Sequence, residues 1–82
     1  MITVMVYSVM FETEYEFRID EDTDISEIVE EIGEMICQRE QCELSGDPSR
    51  LMLFSKQKRI VLDRKATLRD YGIKNGDSLF FA

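Results

Sequence analysis

The 82-residue sequence contains no histidine, no tryptophan, one proline, four glycines and two cysteines. Each shortage removes a class of function. Without histidine there is no Ser–His or Cys–His nucleophile pair and no imidazole base for chemistry near neutral pH. Cys37 and Cys42 lie five apart in a helical pattern, which sets them about 140° apart around the axis, so they are expected neither to bond each other nor to hold zinc. They read as ordinary reduced thiols. The glycines form no phosphate-cradling loop, and no apolar run approaches the roughly 20 residues of a membrane span. The opening "MITVMVYSVMF" lacks a basic flank and a cleavage site, so it reads as a strand rather than a signal peptide. The expectation is a non-enzymatic cytoplasmic protein without catalytic residues, cofactor, metal or direct membrane insertion.

Positive charge is also scarce in the first half. Residues 1–49 carry 14 acidic and 2 basic side chains, whereas residues 50–82 carry 8 basic and 3 acidic, within a formal charge of −7. Nucleic acid is not an expected partner, because the whole chain repels phosphate and no recognition module surrounds the basic residues. The asymmetry suits a polar molecule that could orient a protein partner.

What remains is a dense set of apolar residues, 44% of the chain, with clear periods. A domain of this size needs nearly all of them for its core, so residues 1–82 are read as one domain. Residues 2–9 are apolar on both alternating sets, Ile2/Val4/Val6 and Met5/Tyr7/Val9, which marks a central strand. Residues 14–20 alternate strictly, with Tyr15, Phe17 and Ile19 on one side and charges on the other. Ile25, Ile28, Val29, Ile32, Met35 and Ile36 then form a helical stripe, and Asp24 with Glu27 fits a capping box. "DEDTD" before it lacks the glycine and the spaced glutamate of a calcium loop and reads as helix capping. Glu27, Glu30, Glu31 and Glu34 fall on the polar face, and "LSGDPS" ends the helix. "RLMLFS" is a third strand, residues 60–62 a short fourth after the turn "KQKR", and "SLFFA" a fifth. Gly72 and Gly76 permit positive φ in the connection before it.

The order ββαβββ predicts an α+β fold in which one helix lies across one face of a mixed sheet and the last strand sits parallel to the first. A final strand that is apolar on both faces belongs in the sheet's centre, not at its margin.

The segment "TLRDYGIKNGDSLFFA" resembles the end of ubiquitin-like proteins, and the element order resembles their β-grasp throughout. The acidic "RIDEDTDISEIVEEI" and the "YGIKNGDSL" ending are most similar to the YukD/EsaB group of bacterial type VII secretion loci. The resemblance implies that Leu68 and Ile73 close one end of the core, that Tyr71 packs its ring and bonds backbone, and that Asn75, Gly76 and Asp77 turn the chain into the last strand. It also implies an adaptor or regulator that docks on a membrane-associated component of such a secretion machine. Conjugated modifiers and sulfur carriers of this fold end in Gly-Gly, and "LFFA" does not, so adenylation and conjugation are not expected.

Alternation makes one site prediction from the residues themselves. If the even set of the first strand faces the helix, then Met5, Tyr7, Met52, Phe54 and Phe80 lie together on the opposite face, on strands one, three and five. A soluble monomer rarely leaves such a patch bare, which suggests a protein-docking surface; the alternatives are a homodimer contact, or a patch partly screened by the stems of Arg50 and Lys56.

Overall fold

The computed structural model describes residues 1–41 and 51–82. Among these, the strands are β1 (Ile2–Ser8), β2 (Thr13–Ile19), β3 (Leu53–Ser55), β4 (Ile60–Val61) and β5 (Ser78–Phe81), with the helix α1 (Ile25–Glu40) after β2. They form one sheet in the order β2-β1-β5-β3-β4. β5 runs parallel to β1 and antiparallel to β3, so the last strand occupies the centre, as its two apolar faces require.

One side of this sheet is the core. Val4 and Val6, Tyr15, Phe17 and Ile19, Leu53, Leu79 and Phe81 are buried beneath Ile25, Ile28, Val29, Ile32 and Ile36 of α1. Ile2 and Leu51 pack against the core and are only partly buried. Met35 departs from the expected stripe and is 43% exposed. It sits about 80° from the centre of the buried arc, which a 16-residue helix with five apolar contacts already fills.

The helix start also departs from the local pattern. Asp24 occupies the N-cap position but makes no side-chain cap bond. The orphan N–H groups of Ile25 and Ser26 instead donate to the carbonyls of Ala66 and Arg64, at 2.9 and 3.0 Å. A loop 38 to 41 residues further along the sequence therefore caps the helix. At the other end Gln41 adopts a left-handed conformation and closes onto the Cys37 carbonyl. The proposed stop "LSGDPS", Cys42 and the first residue of the third strand, Arg50, lie outside the described residues.

β3 is shorter than the six residues expected, beginning at Leu53, although Met52 and Ala82 still exchange N–H···O bonds of 2.8 and 3.1 Å. β4 ends at Val61, and Leu62 turns inward and is buried. The segment before β5 follows expectation closely. Leu68 and Ile73 are buried, and the Tyr71 hydroxyl accepts from the Asp63 N–H at 2.9 Å. Gly72 and Gly76 have φ of 67° and 85°.

Candidate functional site: the open face of the sheet

The side of the sheet away from α1 is built by strand period and register alone. Tyr7 on β1 stands opposite Phe80 on β5, Phe80 opposite Phe54 on β3, and Phe54 opposite Val61 on β4. These four residues make one apolar row across the open face. The Tyr7 and Phe80 rings meet edge to face with centroids 5.9 Å apart, a geometry that adds about 1 kcal/mol to plain burial. A second row follows along the strands. The Val9 N–H donates to the Phe81 carbonyl at 3.1 Å, and Met52 pairs with Ala82, so Val9, Ala82 and Met52 lie beside one another. Val9 is 53% and Met52 42% exposed.

All five residues expected on this face are on it. Tyr7, Phe80, Phe54 and Met52 form the cluster, and Met5 borders it between Glu16 and Ser78. Sequence reasoning left out Val9 and Val61. Val9 continues the Met5/Tyr7 alternation past the end of β1, and only the β3–β4 register places Val61 against Phe54. A shallow concavity of about 630 Å³ is lined by Val9, Phe54, Phe80 and Ala82, with Lys56 and Arg59 at its rim. Lys56 lines this concavity together with Phe54 and Phe80.

The charges flanking the face have opposite signs. Glu14 and Glu16 project from β2, paired with Tyr7 and Met5, while Lys56 and Arg59 stand on the β3–β4 turn. The acids before the helix are engaged elsewhere: Asp20, Glu21 and Asp22 bring their carboxylates together, and Arg69 sits among them, its Nε 2.6 Å from Asp22 Oδ1. That hydrogen bond holds the Asp22 carboxyl below its ordinary range and the Arg69 guanidinium above its own. The helix acids Glu27, Glu30, Glu31 and Glu34 are exposed to solvent. Among the described residues no helix is long and apolar enough to cross a membrane.

The architecture is the ubiquitin-like β-grasp: a mixed sheet with a central parallel pair and one helix across one face. A de novo protein designed on the basis of ubiquitin superimposes with a TM-score of 0.73 at 17% identity, over 99% of this chain and 85% of that one. The N-terminal ubiquitin-like domain of the 4931431F19Rik protein gives a TM-score of 0.70 at 20% identity, over 99% of this chain and 72% of that one. No protein-family model matches the chain, and no curated protein matches it.

Proposed function

We propose that this chain is a non-enzymatic ubiquitin-like docking module that presents the open face of its sheet to a larger protein. The observation that carries the reading is the continuous row Tyr7, Phe80, Phe54 and Val61, with Val9 and Met52 beside it. Aromatic anchors surrounded by smaller apolar residues and a charged rim are the usual composition of a binding hot spot. The similarity of the chain's ending to the YukD/EsaB group directs the proposal to a cytoplasmic component of a bacterial type VII secretion machine.

The test is capture of the cytoplasmic domains of such a machine by the wild-type chain and by Phe80→Ala and Met52→Ala. Each truncation is expected to weaken capture about tenfold or more while thermal unfolding stays cooperative. Capture unchanged by both would remove the face from consideration. A modifier or sulfur carrier would act through its carboxyl end instead, and formation of an adenylate with ATP and an activating enzyme would displace the docking reading.

A further inference from the structure

The open face has a direction as well as an apolar centre. Met5 stands opposite Glu16 on one side and Ser78 on the other, and the Lys56 N–H donates to the Ser78 carbonyl at 3.2 Å. One row across the sheet thus begins in a carboxylate and ends in an ammonium group. Glu14 strengthens the acidic margin in the next row, which ends in Phe54 and Val61, while Arg59 stands with Lys56 on the basic margin. Tyr7 and Phe80 lie between the two margins.

A second copy of the same face is complementary to this pattern in one orientation. Two stacked faces can be related by a two-fold axis either across the strands or along them. An axis across the strands lays β2 over β2, so the acidic margins share one side of the pair and the basic margins the other. An axis along the strands reverses the strand order but keeps the level, so each Glu16 meets the other copy's Lys56 and each Tyr7 falls over the other copy's Phe80. Aligned sheet packing at about 30° accommodates this arrangement, and like-charge contact opposes the alternative.

We propose that, without a larger partner, two copies of this chain cover each other's open face about a two-fold axis along the strands, with Glu16 of each beside Lys56 of the other. The inference rests on the docking reading of the same face and gives it a regulation: the partner must displace the second copy. Strands about 4.8 Å apart and two-residue steps of about 6.8 Å give a patch of roughly 400 Å² per copy. The pair therefore buries roughly 800 Å², below the 1,200 Å² or so of lasting complexes, which makes it a weak, reversible contact. Such a cover is weak enough to be displaced.

Sedimentation equilibrium from about 10 μM to about 1 mM tests the pair, a range suited to weak reversible association. The wild-type chain is expected to show a reversible monomer–dimer equilibrium. E16K alone and K56E alone each oppose like charges and should raise the dissociation constant at least tenfold. An equimolar mixture of E16K and K56E makes both contacts complementary again and should restore pairing to within about threefold of wild type; this rescue also shows that both variants are folded. A wild-type chain that stays monomeric to 1 mM overturns the inference, as does a dimer indifferent to both reversals or a mixture that fails to pair. Partner capture is measured beside it with the wild-type chain at about 10 μM and at about 1 mM, and with F80A. Capture per chain is expected to fall at the concentration where the chain pairs, and capture indifferent to pairing overturns the displacement. If pairing fails while F80A still loses capture, the docking reading stands alone. If pairing follows the charges while F80A captures normally, the docking reading fails and the self-pair survives.

Discussion

Tyr15 shows how a single side chain ties the sheet to the helix. It is buried on β2, and its hydroxyl donates to Glu40 Oε1 at 2.6 Å while Arg39 lies 5.7 Å over its ring. The alternation of residues 14–20 predicts its burial, but the partner on the last turn of α1 depends on how the helix crosses the sheet. Burial first, and then the Glu40 carboxylate, raise the Tyr15 pKa above its ordinary value of 10.0. A group raised in the folded state contributes stability that is complete below the ordinary value and is lost as pH rises through the raised one. Tyr15→Phe is therefore expected to lower stability by about 1 kcal/mol at neutral pH and to lose this part of the alkaline destabilisation. Urea melts at neutral and alkaline pH check both, and an unchanged neutral midpoint would show that the hydroxyl contributes nothing. That Met5, Tyr7, Met52, Phe54 and Phe80 share one face was legible because side-chain period on a strand needs no tertiary information. Val61 was not, because its membership comes from pairing with Phe54 across a turn.

At the scale of elements, the turn before β5 sets the parallel pairing with β1. The Thr3 N–H donates to Asn75 Oδ1 and the Gly76 N–H to the Thr3 carbonyl, both at 2.8 Å, while the Lys74 N–H donates to Asp77 Oδ2 at 2.9 Å. Gly76 has φ of 85°, and a Cβ there would meet nothing within 4 Å, so its cost is purely conformational. Gly76→Ala is expected to destabilise by about 1 kcal/mol without changing the fold, and a chemical melt reads the shift. A neutral substitution would show that the turn is not strained against side chains. This turn could be read directly because its residues carry their own backbone preferences. The helix cap could not: Asp24 and Glu27 have the spacing of a capping box, yet the carbonyls that take the first N–H groups come from Arg64 and Ala66. Local letters record a propensity, while the winning partner arrives with the fold. β3 is short for a related reason, since strand length is decided by the neighbour it pairs with, here β5.

Across the whole molecule, the charge asymmetry of the sequence becomes a geometric one. α1 shows Glu27, Glu30, Glu31 and Glu34 to solvent on one side, and on the other the open face runs from the acids of β2 to the bases of the β3–β4 turn. The strand order was legible because β1 and β5 are apolar on both faces and so belong in the centre, whereas β2 is polar on one face and takes a margin. The acidic helix and the apolar sheet face are thus two distinct surfaces, and binding is proposed for the second. An amide-resolved NMR titration of the chain with the cytoplasmic domain of a type VII secretion component separates them most directly. The account predicts shifts and broadening at Tyr7, Met52, Phe54, Val61 and Phe80, with the α1 amides of Glu27, Glu30, Glu31 and Glu34 unmoved. Perturbation confined to those helix residues, with the sheet row silent, would contradict it.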